Sequence, residues 1–156
     1  MKKIASLLLF VVVSLSCTTD VTHNDPAIEG LKDGDRWRAR DIHVELLPNQ
    51  NLRIIGQTRY ETLTLVTTNK IPMTYTLGID TAVTATFADS QTGVTYATGF
   101  NVGDGEIVIK DYDPVQMTVT GTFRFNAPNV GDNPAGGPVV NFQYGNFYKV
   151  PVIPAL

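Results

Sequence analysis

The sequence has one cysteine, two histidines and one tryptophan in 156 residues, and only 17% of its residues are charged. A single cysteine leaves no partner for an intramolecular disulfide. Two histidines, His23 and His43, are too few and too separated to build the usual ligand set of a zinc centre. They are equally poor material for catalysis, since a serine or cysteine nucleophile needs a base and a group that orients the base. His23 falls in a polar stretch, and His43 lies between Ile42 and Val44, where strand alternation turns it to solvent. No catalytic residue and no cofactor are therefore expected. The formal net charge is −3, which gives no electrostatic footprint for nucleic acid. The longest apolar run, Ile4 to Leu15, is about a dozen residues, short of the roughly 20 that a membrane-spanning helix needs.

That run is informative in another way. Lys2 and Lys3 precede it and the only cysteine, Cys17, follows it directly, the layout of a signal peptide over residues 1–16. Val13-Ser14-Leu15-Ser16-Cys17 resembles a lipobox, so Cys17 is the expected lipidation site, carrying palmitate-type acyl chains. Each acyl CH₂ buried in a bilayer contributes about 0.8 kcal/mol, and several chains hold a protein at a membrane almost permanently. Ser14 and Ser16 also fit ordinary secretory cleavage, which would release a soluble protein. Removing Lys2 and Lys3 takes the formal charge from −3 to −5. Residues 17–33, the cysteine and a polar stretch with Pro26 and Gly30, read as a tether, which leaves 34–156 as the domain.

From Trp37 onward, apolar residues recur every second position, the period of strands with one face in a core. The phase changes between Ala39 and Ile42, which predicts a bulge or bend near Arg40 and Asp41. Turns are expected at Pro48 to Asn51, Asp89 to Gly93, Gly103 to Gly105 and Asp113-Pro114. Gly121 interrupts a strand and predicts a bulge or a close backbone contact. Asn126 to Pro138 reads as a long mobile loop. With no amphipathic helix and no internal repeat, the expectation is an all-β fold: an antiparallel β-sandwich of about nine strands, with a closed lipocalin-like β-barrel as the alternative.

Candidate sites are few. Asp104, Glu106, Asp111 and Asp113 cluster along one strand and its ends, where carboxylate oxygens could collect calcium. The same positions suit turns, and a strand rising about 3.3 Å per residue would keep its two ends apart. Aromatic side chains could form a flat platform for a sugar. Trp37, Tyr75, Tyr96 and Tyr144 keep step with apolar neighbours and are expected in the core. Tyr60, Tyr112 and Tyr148 are the candidates for exposed, ligand-binding positions.

Four segments carry a resemblance: Gly34-Asp35-Arg36-Trp37-Arg38-Ala39, Met73-Thr74-Tyr75-Thr76-Leu77-Gly78, Val119-Thr120-Gly121-Thr122-Phe123-Arg124-Phe125 and Gly145-Asn146-Phe147-Tyr148-Lys149-Val150-Pro151-Val152. Together they resemble a family of small Bacteroidetes-type lipoproteins with no assigned function. The resemblance implies a cell-envelope location, the outer membrane foremost, and a β-rich domain, and it supplies no catalytic residues. The expected role is that of a lipid-anchored, non-enzymatic module whose loops at one end bind a glycan, a peptide or an envelope protein. A carrier enclosing an apolar ligand and a hydrolase of envelope polymers are the alternatives. The first requires a cavity, and the second a cleft with paired carboxylates.

Overall fold

The computed structural model describes residues 25–154, and every regular element among them is a strand. The first six are β1 (Ala27–Lys32), β2 (Asp35–Arg38), β3 (Asp41–Leu46), β4 (Leu52–Gln57), β5 (Glu61–Thr67) and β6 (Met73–Leu77). The remaining five are β7 (Thr84–Asp89), β8 (Val94–Ala97), β9 (Asp104–Asp113), β10 (Thr118–Pro128) and β11 (Val139–Pro154). Their order in one curled sheet is β6-β9-β10-β11-β3-β4-β5-β7-β8, with β1 paired to β11 and β2 to β1.

The fold is all-β, as expected, but the described residues form eleven strands and the sheet is mixed. Val152–Pro154 of β11 run parallel to Val44–Leu46 of β3, while the other strand pairs are antiparallel. The exception arises from the length of β11. Val139 to Pro151 pair with β10 on one side, Phe142 to Tyr148 with β1 on the other, and Val152 to Pro154 reach β3, so one strand belongs to both halves of the sheet. Among the described strands no pairing joins β6 to β8, the two ends of the order; β8 instead meets the residues after β10 through the Tyr96–Asn129 bridge, which gives the strongly curled sheet of a sandwich or half-barrel.

Alternation places the core between the halves. Leu52, Ile54, Leu63, Leu65 and Ala85 face inward from one half, and Ile107, Ile109, Val119, Phe123, Phe125, Phe142 and Phe147 from the other, all nearly or completely buried. Phe142 is the hub: its ring centroid lies 5.0 Å from that of Phe125, 5.3 Å from Phe87, 5.7 Å from Trp37 and 6.0 Å from Phe123. Each such ring contributes about 1.5–3 kcal/mol by leaving water. The space that a carrier would need for an apolar ligand is filled by these rings.

The phase change near Arg40 marks where the chain passes between halves. The Ala39 amide still donates to Ile28 of β1 at 2.9 Å, and the next amide, of Arg40, donates to Gln57 of β4 at 2.7 Å. Two segments differ from expectation. Ala27–Lys32, read as tether, is strand β1: Ile28 is fully buried and the segment pairs with both β11 and β2. Six residues with one strongly apolar inward position show too little alternation to register in sequence. The stretch from Asn126 is not a long free loop either, because β10 continues to Pro128. The connection that follows is held by the Asn129 side chain, which donates to Asn133 and Gly137 carbonyls at 2.8 and 3.2 Å, and by the Asn133 side chain, which donates to Gly93 at 3.1 Å.

Candidate functional site

The sequence-derived candidates do not come together. Tyr60, 42% exposed, sits in the turn between β4 and β5, and its carbonyl accepts from the Ser90 amide and hydroxyl, both at 2.8 Å. Tyr112 is at the opposite end of the sandwich, half-buried against the core, with the Lys70 ammonium 5.1 Å from its ring centre. Tyr148 is half-buried on the outer side of β11, opposite Ala27. Cys17 and His23 lie outside the described residues.

The carboxylates expected to gather calcium are spread along β9, each end engaged separately. Asp104 accepts from the Asn126 side chain at 2.8 Å, and Glu106 pairs with Arg124 at 3.1 Å. Asp113 instead closes the β9–β10 turn by accepting the Val115 and Gln116 amides at 2.8 and 2.9 Å, and Asp111 is exposed. Among the described residues no group of three His, Cys, Asp or Glu could hold a metal ion. A strand is extended, and its length keeps its two ends apart. His43 faces outward with Glu45 3.9 Å from its Nε2.

The notable correction is Tyr144. Strict alternation from Val140 and Phe142 turns it inward, yet it is 82% exposed. The reason is a bulge. Inward positions on β11 run Val140, Phe142, Gly145, Phe147, Val150, Val152, with two steps of three residues in place of two. The register on β10 shows both: Phe125 opposes Phe142 but Phe123 opposes Gly145, and Gly121 opposes Phe147 but Val119 opposes Val150. Each bulge places one residue in the left-handed region, Tyr144 at φ +51° and Lys149 at φ +44°. At the second, the Lys149 amide donates to the Thr120 hydroxyl at 3.0 Å.

Glycines permit this geometry. A Cβ on Gly145 would stand 2.5 Å from the Phe123 ring, and one on Gly121 would stand 2.1 Å from the Val108 carbonyl oxygen and 2.3 Å from the Phe147 ring. Gly121 thus shows the bulge and the close contact that its position in a strand predicted. Gly145 fixes where the first bulge can sit, since only glycine fits under Phe123.

Tyr144 stands out on the outer face between two ordered rows of side chains. One row crosses six strands in register: Arg38, Glu29, Asn146, Thr122, Val108 and Thr74. The other holds Arg36, Leu31 and Gln143 on one flank and Arg124, Glu106 and Thr76 on the other. Glu29 accepts from Arg38 at 3.1 Å and from Arg36 at 3.3 Å, and Glu106 accepts from Arg124 at 3.1 Å. Two shallow grooves flank the tyrosine. One, of about 370 Å³, runs over Glu29, Leu31 and Arg36, and the other, of about 380 Å³, over Thr122, Arg124 and Gln143, with Tyr144 and Asn146 between them.

Exposed ion pairs of this kind contribute little to stability, typically 0–1 kcal/mol. Their placement is of more interest, because it sets a guanidinium and a carboxylate on each flank of the Tyr144 ring, Arg36 with Glu29 on one and Arg124 with Glu106 on the other. A non-glycine residue held at positive φ costs about 1–2 kcal/mol, and such strain concentrates where function needs a side chain in one place. Sequence reasoning missed Tyr144 because a bulge reverses its face. The signal available was Tyr144-Gly145, a break of period at a glycine within a strand.

Comparison with known proteins adds classification without a described relative: no curated protein and no solved structure matches the chain. One family model, however, matches residues 24–151, an interval that covers all of β1 to β10 and most of β11. The chain belongs to the family described as a domain of unknown function, DUF6252.

Proposed function

We propose that this protein is a non-enzymatic binding module of the cell envelope, held to a membrane, the outer membrane foremost, by lipid on Cys17. In this reading it engages its ligand with the outer face around Tyr144. The observation that carries the binding role is Tyr144 itself, a large ring 82% exposed on the outer face with a groove on either side. Supporting the location are Lys2, Lys3, the apolar run to Leu15 and the lone Cys17. The site differs from the loop-end site expected from sequence: it lies on a sheet face, where backbone pairing on both sides of β11 makes the platform rigid.

Two measurements test this reading. Intact mass and membrane fractionation of the full chain beside Cys17→Ala should show acyl mass and sedimentation with membranes for the parent alone; equal solubility of both refutes the anchor. Amide-shift mapping during titration with envelope polysaccharides and with peptides should centre on Tyr144, Asn146 and Arg124. Shifts confined to the loops around Phe100 or Asn133 would refute the face.

A further inference from the structure

Resting on the binding reading above, we infer that the Tyr144 face takes a neutral oligosaccharide, lying across the strands from β2 to β9 with one sugar ring stacked on Tyr144. The chemistry of the face favours this class over the others.

A peptide that adds to a sheet needs a strand with free amides and carbonyls. Around Tyr144, β11 is paired to β1 on one edge and to β10 on the other, so a peptide backbone finds no ladder there. A stable protein partner covers roughly 800 Å² on each side and has an apolar centre. Here Tyr144 is the one fully exposed ring, and the apolar groups near it, Leu31 and the half-buried Tyr148, are separated by Glu29, Arg36 and Asn146 rather than joined into one patch. An acidic polymer is drawn by a strongly cationic surface, whereas the three arginines here face two glutamates, Arg36 and Arg38 sharing Glu29 and Arg124 meeting Glu106, so the face is close to neutral.

A neutral sugar has the complementary anatomy. Its axial C–H groups form a weakly positive apolar face that rests on the negative face of a π-system. Its equatorial hydroxyls each donate and accept, and are met by groups that do one or both: guanidinium edges, carboxylate oxygens, and the amides of Asn146 and Gln143. Arg36 and Arg124 meet Glu29 and Glu106 across neighbouring strands, so a sugar hydroxyl finds a donor and an acceptor side by side. The dimensions also agree. From Arg38 on β2 to Val108 on β9 is four strand spacings, about 19 Å at roughly 4.8 Å each, with a groove on either side of the ring. A linear chain of several sugars fits this track, with Tyr144 at its middle.

The test is calorimetry of the full chain in a zwitterionic detergent against a panel of neutral oligosaccharides, acidic oligosaccharides and random peptides. It is run beside Tyr144→Asn, Tyr144→Phe and Arg124→Gln. Asparagine tolerates positive φ, so Tyr144→Asn removes the ring without disturbing the bulge, and circular dichroism checks that it folds. The expected result is binding of a neutral oligosaccharide that Tyr144→Asn weakens about tenfold or more, equivalent to about 1.4 kcal/mol. Tyr144→Phe should retain most of the affinity and Arg124→Gln lose part of it. Binding only to acidic glycans or only to peptides, still dependent on Tyr144, overturns the neutral glycan and leaves the binding face standing. A neutral glycan bound equally well by Tyr144→Asn overturns both readings. No binding across the panel overturns the inference.

Discussion

Tyr144 trades stability for position. Its ring buries little and its backbone sits at φ +51°, so the side chain itself adds little packing to offset the strain of the bulge. Tyr144→Gly removes that strain, worth about 1–2 kcal/mol, and returns part of the gain through the greater freedom of glycine in the unfolded chain, about 0.5–1 kcal/mol. Urea denaturation should therefore show the variant more stable by about 0.5–1 kcal/mol, and a loss of stability would mean that the ring packs in a way its exposure denies. Buried aromatics behave in the opposite sense. Phe142 touches four other rings, and Phe142→Ala should cost about 3–5 kcal/mol, the range for truncating a core aromatic. Trp37, 4% exposed, packs edge-on against Phe142 while its indole N–H donates to Glu61 at 2.8 Å. Its burial was legible from alternation. The pairing with Glu61, 24 residues away, was not, because a single sequence shows period and no partner.

At the scale of elements, most turns were legible because their chemistry is local; the exception is Gly103 to Gly105, where β9 has begun at Asp104 and the chain reverses earlier, between Gly99 and Val102. Asp113 bonds the amides two and three residues on; Asp80, at a turn not expected from the sequence, does the same for Ala82 and Val83, at 2.8 and 2.9 Å. Those two amides hold the Asp80 carboxyl below its ordinary range. At Asp89 burial alone pushes the pKa up, but the Gln91 amide, the hydroxyl and amide of Thr92 and the Lys32 ammonium outweigh it, and the net shift is downward. A carboxyl with a depressed folded pKa adds stability that is present above its unfolded pKa, about 3.9. That stability is lost as pH falls through the folded value, where the unfolded chain has already taken up its proton. Melting temperature should drop below about pH 4 in the parent. The double variant Asp80→Asn, Asp89→Asn keeps amide acceptors but cannot titrate, and should flatten that acid limb; an unchanged limb would place the acid sensitivity elsewhere. Bulges were the least legible elements. One extra residue in β11 inverts every inward assignment until the next irregularity restores it, which is how a period correct at Phe142 failed at Tyr144 and was correct again at Val150.

For the molecule as a whole, composition and period two were enough to give an all-β fold with one core, since that pattern has few other solutions. Topology was not available, because it depends on which strands meet, and the sixteen residues of β11 join both halves of the sheet. A strand of that length has a mechanical consequence. If the chain is anchored through Cys17, a force on a ligand held at Tyr144 enters on β11 and leaves through β1, the next strand over and the one that leads to the anchor. The load then crosses a single ladder, from Ala27 opposite Tyr148 to Lys32 opposite Phe142. The rest of the sheet lies outside the load path, so the grip on an envelope polymer under tension would be limited by that one ladder and not by the stability of the domain.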